Sequence, residues 1–105
     1  MTYNERITYL KKLKESIINY EEEIKEALFK DLGKSSQEAY STEIGIVLSE
    51  ISLFIHKLKK WTQLKKVKGN LTTFPSKAYI YPEKYGRVLI IGPWNYPFQL
   101  IFMPL

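Results

Sequence analysis

One primary amide, Asn95, stands in a loop of aromatics and prolines, Gly92-Pro93-Trp94-Asn95-Tyr96-Pro97-Phe98. The prolines at 93 and 97 restrict the backbone on both sides of it. A fixed amide NH2 in an apolar setting is what an oxyanion needs from a donor. The apolar strand pattern before Gly92 makes this loop a strand end, where ligands bind in α/β sheets. On the residues alone the more ordinary role is a buried asparagine closing a loop, because buried side-chain amides usually satisfy their neighbours.

The other reactive types offer less. The sequence has no cysteine, which excludes disulfides, thiolate metal sites and a cysteine nucleophile within it. His56 has no second histidine or neighbouring acid at ligand spacing, so it reads as structural or surface rather than metal-binding. Glu21-Glu22-Glu23 reads as a solvated helix face, not an acid/base pair. Lys57, Lys59, Lys60, Lys65, Lys66 and Lys68 surround Trp61, an arrangement that can bind phosphates and stack a base. No nucleic-acid motif accompanies it and Trp61 continues an apolar stripe, so nucleic acid is not an expected partner. The net charge of +5 then describes a lysine-rich surface. The polar N-terminus shows no secretory signal, and a cytoplasmic location is expected.

These residues need elements to carry them. Ile7, Leu10, Leu13, Ile17, Tyr20, Ile24 and Leu28 step by three and four, which predicts one helix over residues 4–32. Glu22 and Glu26 can pair with lysines a turn away. Gly33 is the expected stop. Ser35 and Glu38 then read as a capping box, each side chain bonding the other's amide. Tyr40, Ile44, Val47, Ile51, Phe54, Leu58 and Trp61 form a second helical stripe. Two such helices joined by a short turn predict an N-terminal antiparallel helical hairpin. Residues 65–70 read as a basic, turn-prone linker, and residues 72–76 as extended. Residues 77–81 have strand composition, and residues 82–86 read as a turn. Residues 87–91 read as a second strand, its last four positions continuously apolar as in a strand buried on both faces. Residues 88–105 carry no charge, yet Pro93, Pro97 and Pro104 argue against a lipid-exposed helix, so no membrane association is visible. This stretch reads as protein interior that the isolated chain would expose.

The run Val88-Leu89-Ile90-Ile91-Gly92-Pro93-Trp94-Asn95-Tyr96-Pro97-Phe98-Gln99-Leu100 resembles the aldehyde dehydrogenase superfamily, specifically its class 3-like branch. Further blocks agree in order: Ala27-Leu28-Phe29-Lys30-Asp31-Leu32-Gly33-Lys34-Ser35, then Glu43-Ile44-Gly45-Ile46-Val47-Leu48-Ser49-Glu50-Ile51, Leu58-Lys59-Lys60-Trp61 and Phe74-Pro75-Ser76-Lys77-Ala78-Tyr79-Ile80-Tyr81. One departure lies in the turn Glu83-Lys84-Tyr85-Gly86, where the family usually has proline in second place. The resemblance covers nearly all of this chain but only roughly the first quarter of a typical, multi-domain member.

The resemblance implies an α+β fragment of an α/β enzyme: residues 1–64 a helical hairpin, 65–86 a linker and β-strand arm used in oligomerisation, and 87–105 the first strand and oxyanion loop of the cofactor-binding domain. It implies an intact protein, likened to family homodimers, that oxidises an aldehyde to a carboxylic acid with NAD or NADP through a cysteine thiohemiacetal. Asn95 matches the family's oxyanion amide. Ile91, Gly92, Pro93 and Trp94 match the segment that contacts the nicotinamide cofactor, mainly through backbone, and Tyr96 matches an aromatic position at the aldehyde tunnel. The family's nucleophilic cysteine, general-base glutamate and glycine-rich nucleotide loop lie downstream of Leu105, so this chain alone is expected to be inactive. The alternative is a non-catalytic helical interaction module that binds a partner through an exposed apolar face.

Overall fold

The computed structural model describes residues 1–105. The first apolar stripe folds as two helices rather than one, α1 at Tyr3–Asn19 and α2 at Glu21–Leu32. They part at Tyr20, where φ is −101° and ψ is 17°. Asn19 and Tyr20 are weak helix formers, and Glu21-Glu22-Glu23 favours a fresh N-terminus through the helix dipole. Tyr20 accordingly leaves the stripe and is exposed. The start of α1 holds a full capping box that the sequence reading did not identify: Glu5 N–H donates to Thr2 Oγ1 at 3.3 Å, and Thr2 N–H donates to Glu5 Oε2 at 2.6 Å.

Gly33 ends α2 as expected, at φ 67°, its N–H donating to the Phe29 carbonyl at 2.8 Å. Ser35 caps α3 (Ser36–Ala39), accepting from Glu38 N–H at 3.2 Å, although Glu38 makes no return bond, so only half of the expected box forms. A π-helical turn at Tyr40–Ile44 follows, and then α4 at Gly45–Trp61. The second stripe is therefore helical throughout but contains a wide turn.

The helices pack about Ile17, Ile44, Val47 and Ile51, with Leu10, Leu13, Ile24 and Ile55 against them. The Lys14 ammonium crosses from α1 to α4, donating to Ser52 Oγ at 2.8 Å. Burying such stripes stabilises the pair by about 1.5–3 kcal/mol per aliphatic side chain. On the solvent side Lys25 pairs with Glu21 and Glu22, and Lys30 with Glu26. Every buried residue lies at or before Leu58, so the core belongs to the helices alone.

Beyond Trp61 the chain forms a small antiparallel hairpin. Residues 65–70, read as a linker, contain β1 at Lys65–Val67, which pairs with β2 at Ala78–Ile80 in the register Lys65↔Ile80, Lys66↔Tyr79, Val67↔Ala78. Lysines are common on exposed edge strands because they deter further pairing, and here that charge hid the strand. Of residues 72–76, expected to be extended, Thr72 and Thr73 instead belong to a 3-10 turn at Leu71–Thr73 capped by Asn70 Oδ1, which accepts from Thr72 N–H at 3.3 Å. Phe74 is extended, as the following proline requires. Gly86 has φ 81°, consistent with a turn before Arg87.

The strand expected at residues 87–91 forms no ladder, and Val88, Leu89 and Ile91 are exposed. A strand of a sheet exists only through its neighbours, and here β1 and β2 pair with each other and not with residues 87–91. The segment ends in α5 (Pro97–Phe102). No helix is long and apolar enough to cross a membrane.

Candidate functional site

The loop before α5 is held by a buried ion pair. Glu43, on the π-helical turn, is 0% exposed, and Lys34, just past the Gly33 stop, is 7% exposed. Lys34 Nζ donates to Glu43 Oε1 at 2.5 Å. The other carboxylate oxygen, Oε2, accepts from the N–H groups of Phe98 at 2.9 Å and Gln99 at 3.1 Å. These are first-turn amides of α5, which have no intrahelical acceptor. Pro97 opens the helix and has no N–H to satisfy. Glu43 thus caps α5 from a distant part of the chain, where a carboxylate is also favoured by the helix dipole.

Lys34 completes the clamp. Its ammonium donates to the Asn95 carbonyl at 3.0 Å and lies 3.9 Å from the centre of the Tyr96 ring. A cation over an aromatic face is attracted by the ring's negative quadrupole. Phe98 and Phe102, with ring centres 4.6 Å apart, pack with Met103 against the helical core. Gly92 lies so close to α5 that an added Cβ would overlap Ile101 Cγ1 and stand 3.0 Å from its Cδ1. The loop is therefore fixed at its entry, at Asn95 and at its exit.

The Asn95 side chain has a defined polarity. Its Oδ1 accepts from Tyr96 N–H at 3.1 Å. Because the partner is a donor, the oxygen must face the backbone and the NH2 must face away. That NH2 donates to nothing in the chain, and Asn95 is exposed. A buried amide closing a loop is therefore not what this chain contains. Ile91 (84% exposed) and Trp94 (82% exposed) present uncharged surface beside it, while Tyr96 is turned towards Lys34. Gly92 is half-buried and Pro93 exposed, so all five residues flanking the amide share one loop.

The remaining candidates stay apart from the loop. His56 is exposed, its Nδ1 2.7 Å from the Ser52 carbonyl one helical turn back. Trp61 packs edge-on against Phe54, with ring centres 5.0 Å apart. No group of three or more His, Cys, Asp or Glu residues converges to hold a metal.

Comparison with known proteins bears on this arrangement. The profile of the Aldehyde dehydrogenase family matches residues 1–105. The chain belongs to that family. Its similarities place it in the class 3-like branch. The 4,4'-diaponeurosporen-aldehyde dehydrogenase of Staphylococcus aureus is 56% identical over 96 residues, covering 91% of this chain and 21% of that protein. Aldehyde dehydrogenase family 3 member A2 of Macaca fascicularis is 45% identical, covering 95% of this chain and 21% of that protein. A solved structure described as the substrate-bound state of Staphylococcus aureus AldH superposes with a TM-score of 0.91 at 52% identity, covering 98% of this chain and 22% of the other. The chain thus spans about a fifth of the length of these relatives. The family oxidises aldehydes with NAD(P), and this chain contains no cysteine.

Lys34 and Glu43 were not singled out by sequence reasoning. Both lie inside blocks that carried the family resemblance, but a charge beside an apolar stripe does not announce its partner.

Proposed function

We propose that this chain is the part of an NAD(P)-dependent aldehyde dehydrogenase that supplies the oxyanion donor, with Asn95 Nδ2 as that donor. The observation that carries this reading is the amide oxygen bonded to the Tyr96 N–H, which leaves the NH2 exposed and without a partner in the chain. In the whole enzyme the donor would face the oxygen of the adduct formed when a cysteine elsewhere in the protein attacks the aldehyde. The hydrogen bonds it donates strengthen as negative charge builds on that oxygen, and they act again on the tetrahedral charge formed during thioester hydrolysis.

The nicotinamide cofactor, when bound, accepts the hydride. The residues present suit it: residues 91–94 offer uncharged, uncovered loop surface suited to a flat heteroaromatic ring. Ile91, Gly92, Pro93 and Trp94 would contact that ring, mainly through backbone. Tyr96 would line the aldehyde's approach, where a rigid apolar ring excludes water. Residues 1–64 would form the helical unit, residues 65–86 a strand arm contributing to a homodimer, and residues 87–105 the start of the cofactor-binding domain, in a cytoplasmic enzyme.

A second reading, a non-catalytic helical interaction module, draws on the exposed Tyr9, Ile18 and Phe29. Absorbance at 340 nm separates the two. The full-length protein should form NADH or NADPH from an aldehyde, and Asn95→Ala should lower turnover by about 100- to 1,000-fold. The 105-residue chain should form none, since it has no cysteine. A full-length protein with no such activity that forms a defined stoichiometric complex would favour the second reading.

A further inference from the structure

The geometry points to Lys34 and Glu43 as positioning residues that set the place of the Asn95 amide, an inference that rests on Asn95 being the oxyanion donor. Neither would touch the aldehyde or the cofactor. Both act through the loop's backbone, and they hold it at separate points. Lys34 grips the Asn95 carbonyl at 3.0 Å, and Glu43 grips the Phe98 and Gln99 amides at 2.9 and 3.1 Å. Between these points lie Tyr96, whose ring sits under the Lys34 ammonium at 3.9 Å, and Pro97. The Asn95 backbone cannot shift without breaking one of these contacts.

A purely structural ion pair would satisfy its own charges. This one uses its second carboxylate oxygen and a further ammonium proton on the loop. Replacing a buried pair by apolar groups is often neutral or stabilising, so stability alone gives little reason for such a pair here. The π-helical turn adds to the argument, because such turns occur frequently at functional sites. Here it carries Glu43 and Ile44 side by side, both fully buried, one turned to the loop and one in the core cluster.

The test uses the full-length enzyme. First, in the unaltered protein, hydrogen exchange at the Phe98 and Gln99 amides should be slowed on the order of 100-fold or more relative to an open chain, as for structured core amides. Coil-like exchange at both would overturn the clamp, and this readout needs no variant to fold. Second, the double variant Lys34→Met, Glu43→Gln should lower kcat by about 10- to 100-fold with little change in KM, the scale of a displaced catalytic group. Third, the same double change made on Asn95→Ala should lower kcat by less than about 3-fold, because groups acting as one unit are not additive. Independent, multiplying losses would overturn the inference. If Asn95→Ala itself leaves turnover intact, the oxyanion reading fails instead, and exchange at Phe98 and Gln99 still decides whether the clamp exists.

Discussion

Glu43→Ala in the 105-residue chain is the most informative stability perturbation. The carboxylate is fully buried, and its removal leaves the Lys34 ammonium, 7% exposed, without its counter-charge. Breaking a buried pair from one side costs about 3–5 kcal/mol, because an uncompensated charge remains. The Phe98 and Gln99 amides also lose their acceptor, and each orphaned donor costs about 1–3 kcal/mol if it stays dry. These costs overlap, since α5 can detach and let water reach all three groups. The expected loss is therefore about 3–5 kcal/mol, a large share of the roughly 5–15 kcal/mol typical of a small domain. The melting temperature should fall by roughly 12–40 °C at about 4–8 °C per kcal/mol for a chain of this size. Far-UV circular dichroism during thermal and urea unfolding, at a concentration where sedimentation shows monomer, reads both quantities. Glu26→Ala, which removes an exposed pair with Lys30, should leave the midpoint in place. A loss below about 1 kcal/mol in Glu43→Ala, the level of a surface pair, would refute the argument that the buried pair holds α5.

Three further outcomes follow from other parts of the structure. Gly92→Ala should cost about 1–3 kcal/mol in urea unfolding through overpacking against Ile101, and adding Ile101→Ala should recover most of it. The Glu5 carboxyl is held below the usual carboxylate range, first by the Thr2 backbone N–H and then by the Thr2 hydroxyl. A depressed folded pKa stabilises above the unfolded value and is lost as pH falls through the folded one. A carbon-13 titration should place Glu5 below the ordinary range and raise it only part of the way back in Thr2→Ala, which removes the hydroxyl but keeps the backbone N–H, and a midpoint in the ordinary range in the unaltered chain would contradict the capping box. Val88, Leu89, Ile91 and Trp94 are exposed together, so the isolated chain should self-associate, its mean sedimentation coefficient rising with concentration. A monomer independent of concentration would count against that.

The helices were legible because periodicity reports which face is buried. Ile17, Leu28, Ile44, Val47, Ile51 and Leu58 lie buried on the two stripes, and Gly33 stops α2 in the expected conformation. Periodicity is weaker evidence for continuity, and so the break at Tyr20 and the wide turn at residues 40–44 went unseen. β1 escaped because its lysines suit an edge strand and a linker equally. The pattern at residues 87–91 belongs to a strand buried between neighbours, and here neither β1 nor β2 pairs with it. At the site, the loop and Asn95 stood out from residue type alone. The clamp did not, because Glu43 meets Phe98 and Gln99 across more than fifty residues, a pairing that only the tertiary structure creates.

As the oxyanion donor, the Asn95 NH2 would stabilise charge in the transition state. The most direct test is the steady-state kinetics of Asn95→Ala in the full-length protein, with kcat and KM for the aldehyde separated. The expected result is a kcat lower by about 100- to 1,000-fold with KM little changed, since the donor acts where charge develops. A kcat within about 3-fold of the parent, or a loss confined to KM, would instead mark Asn95 as a residue of uniform binding or of structure.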